Sequence, residues 1–583
     1  MNPISSLPCI SHRMLVSGPA LLPALSALAL PLISLIIVTV VWCWLAAPAT
    51  VAYAPIDPTT KLDCVSYAPF RGRQSPWNST IIVNPEQIAE DLAELAKISS
   101  CVRIYSVENG LNKVPELAAK VGLKVVLGVW IGSDRRKNAQ LIDAALLLVK
   151  SHPDVITALI VGNEVLLRGE MLPADLRQTI RSVKAQVNIP VSYADVWEFL
   201  LRYPDVSEDV DFVTVHTQPY WEDFPVRAED AAAHVDHIRI QMIQAFPGKE
   251  ILIGEAGWPS RGRMRNGALP SRINQARFVS ELLERARREN FHLNLFEAYD
   301  EPWKRQWEGT VGGHWGLFDG ESRKLKYPSG SAVSDYPFWK LQLGSGIVLC
   351  IFIFGSALLA SRRRQSAPGL ARWVAVAASA TAGGILLGVA AEKMLCESYG
   401  VYGWLTQGLL LAVAIAAPLL CSDAFMSGRA PPTFLQMIVP LERRTLSLPT
   451  MVLGVTLMLT TVFALQSAFG LVFDPRWRDF PFAGLTMAVI PFWTVTLLNR
   501  RRPGKRAIAE AVLATLFAAA ALYILFNEGT QNWQAWWTCI MYFMLGTTLW
   551  QPRSVAALDA DLFGAQSRTL QPIAITTESE PGH

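Results

Sequence analysis

Charge is scarce in this chain. Only 17% of its 583 residues are Asp, Glu, Lys or Arg, against 51% hydrophobic. That is little charge for a soluble enzyme of this length, and too much apolar content for a disordered chain. A basic excess is missing too. A formal net charge of +3 leaves no electrostatic footprint for nucleic acid, so no nucleic-acid partner is expected. Eight cysteines are too few for a disulfide scaffold. The chain lacks a GxxxxGK[ST] phosphate loop, so an ATP-driven pump is unsupported, and it lacks an HExxH zinc pair. His234 and His237 stand i, i+3 without further ligands at metal spacing. No metal and no cofactor are therefore expected.

What is present falls into two unlike parts. Acidic and basic residues nearly balance over 55–338, whereas 339–550 is dominated by apolar runs. Eight runs are long enough to span a bilayer, at about 25–47, 341–360, 371–391, 402–421, 450–472, 481–498, 507–526 and 532–550. In lipid every backbone group must bond internally, so helices are expected. The first run exceeds a signal-peptide core of roughly 7–15 residues and reads as an anchor. Ala52-Tyr53-Ala54 has the form of a cleavage site, so cleavage stays open. Arg362, Arg363, Arg364 and Arg372 flank one loop, Arg429, Arg443 and Arg444 a second, and Arg500, Arg501, Arg502, Lys505 and Arg506 a third. The alternate loops carry only Lys393, Arg476 and Arg478. Positive loops stay cytoplasmic. The expected domains are a cytoplasmic N-terminus and anchor over 1–54, an extracytoplasmic domain over 55–338, seven membrane helices over 339–550, and a cytoplasmic tail over 551–583. Glu392, Lys393 and Glu510 read as interfacial charges in reach of water rather than a transport path. Trp533, Trp536 and Trp537 read as an aromatic belt in contact with membrane lipid.

Within 55–338 short β-rich runs alternate with amphipathic stretches. Strands are expected at 62–67, 101–106, 124–130, 156–162, 190–195, 211–216, 250–254 and 291–298, with helices such as 86–98 and 273–289 between them. Eight such units fit an α/β fold, a (β/α)8 TIM barrel. In that fold the chemistry sits after the strand C-termini. Those positions hold Tyr67, Arg103, Tyr105, Trp130, Asn163, Glu164, Asp195, Trp197, His216, Tyr220, Glu255, Trp258, Glu297 and Tyr299, with Glu301 and Lys304 just beyond. Such a cup of carboxylates and flat rings suits a sugar. Glu164 ends the fourth strand and Glu255 the seventh, facing each other across a barrel mouth. Two carboxyl groups about 5–5.5 Å apart are what a retaining glycosidase needs.

The motifs Val161-Gly162-Asn163-Glu164 and Gly254-Glu255-Ala256-Gly257-Trp258-Pro259-Ser260, supported by Arg103-Ile104-Tyr105 and Gly316-Leu317-Phe318, resemble glycoside hydrolase family 17, the β-1,3-glucanase family of clan A, over about residues 60–330. The resemblance implies that Glu164 is the acid/base, Glu255 the nucleophile, and Asn163 a partner for the 2-hydroxyl of the sugar. Ala256 stands where the family usually has Thr, and His216-Thr217-Gln218-Pro219-Tyr220-Trp221 departs from the usual Asn-x-Tyr-Pro pattern. A family 17 barrel joined to a multispan tail resembles bacterial inner-membrane proteins linked to periplasmic β-(1,3)/(1,6)-glucan synthesis. The partners this implies are β-glucan donor and acceptor chains and a glucan synthase.

Three functions follow: a glucan transglycosylase, a tethered endo-β-1,3-glucanase, or an inactive glucan-binding or export component. Both Glu residues speak against the last. The acid must stay protonated near neutrality, so a raised Glu164 pKa is expected. Trp197, Trp221, Trp258, Trp303, Trp307 and Trp315 are candidates for acceptor platforms or for ordinary loop packing, and Trp258 is the first choice as a sugar contact. Glu222, Asp223 and Arg227 are rim candidates. The Arg261–Arg265 cluster reads as a solvated face. Cys64 and Cys101 lie on neighbouring strands, either bridged or as buried thiols. The remaining span cysteines read as packing residues.

Overall fold

The computed structural model describes residues 21–51, 61–327, 332–363, 368–438, 446–499 and 507–551. Arg364, Arg443, Arg444, Arg500 to Arg502, Lys505, Arg506, the Ala52-Tyr53-Ala54 stretch and the expected tail beyond Gln551 lie outside those residues.

Eight parallel strands close into a barrel in sequence order: β1 Cys64–Ser66, β2 Cys101–Ile104, β3 Lys124–Val129, β4 Ile156–Asn163, β5 Val191–Val196, β6 Phe212–His216, β7 Glu250–Ala256 and β8 Leu293–Leu295. Each falls within or across an expected strand. Their β-branched and leucine side chains, among them Val65, Val102, Val125, Leu159, Val213 and Ile253, join one buried core. β1 and β2 are also joined covalently, by a Cys64–Cys101 disulfide.

The helices outside the barrel form for local reasons. Pro85–Leu95 opens with Asn84, whose side chain accepts from the Glu86 N–H, and with Pro at its first turn. It buries Ile88, Asp91, Leu92 and Leu95, the spacing of a single helical face. Arg272–Glu289 is capped by Ser271 and stops at Asn290, which adopts the left-handed conformation.

All eight apolar runs are helical: α1 Leu21–Leu45, α2 Trp339–Arg362, α3 Leu370–Glu397, α4 Gly400–Ser427, α5 Leu448–Phe473, α6 Phe482–Leu498, α7 Ile508–Glu528 and α8 Trp533–Trp550. Among the described residues five of them, α2, α3, α4, α5 and α7, are long and apolar enough to cross a membrane. The expected count of eight is thus larger than the helices support by this measure. The apolar stretch Ala29–Leu45 of α1 and the whole of α6 are shorter, and α8 is diluted by Trp, Gln and Thr.

The helices pack into a second core and alternate in direction, so that one end of each faces the barrel. The Ala46 carbonyl after α1 accepts from Ser334. Glu392 near the end of α3 pairs with Arg261, and the Ser398 carbonyl before α4 accepts from Arg305 at 2.9 Å. Asp479, between α5 and α6, accepts from Thr310 at 2.6 Å. Glu528 ends α7 and pairs with Arg263, and Asn532 before α8 donates to the Met264 carbonyl at 2.9 Å. The Arg261–Arg265 cluster is therefore a docking element and not a solvated face; Arg263 is 3% exposed. Glu392 finds its partner in Arg261 rather than in water. Glu510 is buried and accepts from the Phe434 N–H at 2.7 Å.

Candidate active site

The barrel mouth is built on a buried polar layer. Asn294 donates to Ser66 and to the Gly254 carbonyl, both at 2.7 Å. Arg103, 1% exposed, reaches across the interior from β2. Its Nη1 donates to the Gly254 carbonyl at 2.6 Å and lies 3.2 Å from His216 Nε2, while Nη2 donates to Asn163 Oδ1 at 2.8 Å. A guanidinium can only donate. His216 Nε2 therefore accepts, and the ring proton sits on Nδ1, which donates to Glu164 Oε1 at 2.8 Å.

Glu164 follows β4 with φ +54°, in the left-handed region that costs a non-glycine residue about 1–2 kcal/mol. Its N–H is tied to the Ala194 carbonyl at 2.8 Å. Gly162, two residues before, has φ +91°, and a Cβ there would stand 2.8 Å from Val165 Cγ2. The VGNEV spacing thus turns the chain end so that the carboxylate faces the mouth. Glu255 near the end of β7 is buried. Its Oε1 accepts from the Tyr105 hydroxyl at 2.8 Å, lies 3.9 Å from Arg103 Nη1, and lies 3.6 Å from His216 Nε2. Gln218 adds a 3.5 Å contact to Oε2. One ligand-type atom from each of Glu164, His216 and Glu255 lies within 4.8 Å of the others. The two carboxylates expected to meet do meet, with an imidazole beneath them. The trio is also the one cluster among the described residues with metal-ligand chemistry; Arg103 already supplies it with positive charge.

Burial raises the Glu164 carboxyl, but the His216 hydrogen bond and the attraction of His216, Arg168 and Arg103 outweigh it, and the group lies below its ordinary value. This reverses the expectation of a raised pKa. Nothing local to Glu164 announces that an imidazole N–H from β6 is aimed at this carboxylate. Asp195 is pushed up to about 6 by burial, with Glu164 adding repulsion. The Tyr105 hydroxyl is raised by burial and by Glu255.

The expected sugar contacts divide. Trp130 is half-buried, with the Arg168 guanidinium 4.2 Å from its ring centroid and Trp77 packed edge-on. Trp197 is half-buried, and its indole N–H is shared between the Glu222 oxygens at 3.3 Å. These two rings keep part of their surface uncovered, and Asn163 is 8% exposed. Arg103 and His216 lie under the carboxylates, where they position the pair instead of touching a ligand. Four others are corrected outright, because their faces are covered by the core and their polar atoms already engaged. Trp258 is fully buried, with its indole N–H on the Leu269 carbonyl at 3.2 Å. Tyr67 donates to Asp91 Oδ2 at 3.1 Å, Tyr299 to the Asp91 carbonyl at 3.2 Å, and Tyr220 to the Arg263 carbonyl at 2.9 Å. Trp315 is buried as well, while Trp307 is 57% exposed. Glu297, Glu301 and Lys304 form a buried group in which Lys304 donates to Glu297 and Trp303 to Glu301. Burial pushes Glu297 up to about 7, and burial together with the neighbouring Glu297 raises Glu301 as well. With all three side chains buried, none of them is an open sugar contact.

Two contributors were not foreseen. Glu308, on the helix Arg305–Gly312, is raised by burial and feels both Glu164 and Glu255. The segment between α5 and α6 brings Trp477 to 5.4 Å from Trp221 and Arg476 over the Trp221 ring. Helix position hid Glu308. Trp477 had a readable sign: a short loop between apolar runs that carries Trp and two Arg.

Residues 64–316 match the BtgE/BtgC glycoside hydrolase domain family. A glucan 1,3-beta-glucosidase of Saccharomyces cerevisiae is 27% identical over 259 residues, covering 41% of this chain and 82% of the relative. A protein of the same yeast described as a probable family 17 glucosidase, SCW4, is 25% identical over 263 residues, covering 44% and 65%. Among solved structures, an active-site mutant of a Rhizomucor miehei beta-1,3-glucanosyltransferase in complex with laminaritriose is 26% identical. It covers 47% of this chain and 98% of its own, with a TM-score of 0.41.

Proposed function

We propose that the protein is a membrane-anchored retaining β-glucan transglycosylase of glycoside hydrolase family 17, a reading supported by the match of residues 64–316 to the BtgE/BtgC glycoside hydrolase domain and by the glucosidase relatives. It takes a β-1,3-glucan donor and acts in the synthesis or remodelling of periplasmic glucan. The observation that carries this is the meeting of Glu164 and Glu255 over His216. Glu255 attacks the anomeric carbon and the glycosidic C–O bond breaks as Glu164 hands its proton to the leaving oxygen. An acceptor hydroxyl, deprotonated by Glu164, then displaces Glu255 and regenerates both carboxyl groups in their starting forms. Asn163 is held by Arg103 at its carbonyl end, which leaves its NH2 group to serve the sugar's 2-hydroxyl.

Transfer in place of hydrolysis is favoured by what stands at this end of the barrel. Trp221, Trp477 and Arg476 pack together where the loop after β6 meets the segment between α5 and α6, an aromatic surface suited to a second sugar, and a bound acceptor outcompetes water through its effective concentration. The membrane reading rests on the five apolar helices. Arg362, Arg363, Arg372 and Arg429 stand at helix ends remote from the barrel, which favours a cytoplasmic face there and a periplasmic barrel in a bacterial inner membrane. The test is linkage analysis of the products made by the intact protein from laminari-oligosaccharides, with Glu164→Gln and Glu255→Gln as controls. Longer products, with β-1,3 or β-1,6 bonds, are expected. Only shorter ones would make it an endo-β-1,3-glucanase, and none at all, with retained binding, a glucan-binding component.

A further inference from the structure

Beside the barrel mouth lies a cavity of about 600 Å³ that neither carboxylate lines. That volume is in the range of small-ligand sites, roughly 300–1,000 Å³. Its walls include Arg305 and Gly309 from the barrel, Tyr402 and Gln407 from the start of α4, Gln466 from α5, and Trp477. A single short helix, Arg305–Gly312, separates it from the carboxylate pair. Glu308 on that helix feels Glu164 and Glu255, while Arg305 and Gly309 face the cavity. Gly309 has φ +68°, and a Cβ there would stand 2.4 Å from the Trp477 carbonyl oxygen. The missing side chain lets Trp477 close onto the barrel and reach Trp221. Trp477 thus lines the cavity with one side and packs edge-on against Trp221 of the barrel at 5.4 Å with another.

The lining says what belongs there. Its charged groups are largely engaged by protein. Arg478 pairs with Asp474 at 2.9 Å, Asp479 accepts from Thr310, and Arg305 donates to the Cys396 and Ser398 carbonyls. Little is left for an anionic headgroup. Neutral polar groups are plentiful instead: Gln466 donates to the Tyr402 hydroxyl at 2.8 Å, and Thr406, Gln407 and Ser467 stand nearby. Rings beside neutral donors and acceptors are the chemistry of an uncharged polyol.

We propose that this cavity is an extended glucan subsite, in which the helical region holds the part of a β-glucan chain that runs past Trp221 and Trp477 out of the barrel mouth. The inference rests on the reading of the barrel as a β-glucan enzyme. It gives the C-terminal helices a role in chain-length selection beyond anchoring.

The test is binding by the full-length Glu255→Gln protein in nanodiscs, comparing laminaritriose with a ten-residue laminari-oligosaccharide. The longer chain is expected to bind about tenfold tighter. A further Tyr402→Ala/Gln466→Leu pair is expected to bring the ratio to about one, with the thermal transition checked to exclude misfolding. A ratio near one in the parent, or an undiminished ratio in the pair variant, overturns the proposal. Independently, the wild-type protein with a photoreactive ten-residue oligosaccharide should become labelled within 399–407 or 463–470. Labelling confined to the barrel, or a cavity labelled instead by a photoreactive phospholipid, overturns it too. Binding needs no turnover. Length-dependent binding without any wild-type transfer therefore defeats the transglycosylase reading and leaves the subsite standing.

Discussion

Replacing His216 with Phe removes the N–H that Glu164 accepts at 2.8 Å and keeps a ring of similar breadth in a site with no exposure. A hydrogen bond to a charged group contributes about 1.5–3 kcal/mol, and one pKa unit is about 1.36 kcal/mol. The bond favours the ionised carboxylate, so losing it raises the Glu164 pKa by about 1–2 units. In its proposed role as proton donor to the leaving sugar, Glu164 works only while protonated. The rate falls as pH rises through its pKa. The descending limb of kcat/KM against pH for a laminari-oligosaccharide is thus expected to shift about 1–2 units to higher pH in His216→Phe. Arg103 keeps its Gly254 and Asn163 partners, so the barrel should still fold, and the thermal transition checks this. A limb that stays in place or moves to lower pH would refute the hydrogen bond as the cause of the lowered Glu164 pKa.

Glu164→Gln should lower turnover of laminari-oligosaccharides by about 10²–10⁴-fold and lose much less on an aryl glucoside whose leaving group needs no proton; equal losses on both substrates would deny Glu164 its acid role. Arg263→Met leaves Glu528 buried without its partner, which should cost about 3–5 kcal/mol and lower the melting temperature. The double change with Glu528→Met should recover most of that loss, as a melting series on the purified protein would show. Replacing Cys64 and Cys101 by Ala opens a link between residues separated by 37 positions, a loss of about 4 kcal/mol by loop entropy, measured as a lower denaturant midpoint of the barrel.

The barrel was legible because its signals are local and repeat. Runs such as KVVLGV and the capped PEQIAEDLAEL stretch announce strand and helix by composition and spacing. Glu164 and Glu255 were legible because a strand end fixes where its last side chains go. Burial was not legible. Tyr67, Tyr220, Tyr299 and Trp258 also stand near strand ends, yet each is claimed by loops and helices that return over it, and period alone does not say which ring is left uncovered. The lowered Glu164 pKa depends on His216, and so on a contact across 52 positions. The helical region showed its apolar runs plainly, but its docking through Arg261 and Arg263 depends on partners more than a hundred residues away. Charges that looked solvated were half of a contact whose other half lay in a different part of the chain.

The segment that leaves β7 straight after Glu255 is the one that grips the ends of α3, α7 and α8. On the proposed reading, one reacting carboxylate is thus mounted on a bracket bolted to the apolar helices. A thicker or thinner lipid film that tilts those helices would be transmitted, through fewer than ten residues, to the angle at which that oxygen meets its sugar. Lipid composition thereby becomes a variable of the chemistry, and a barrel cut free at residue 338 would work with its bracket hanging loose.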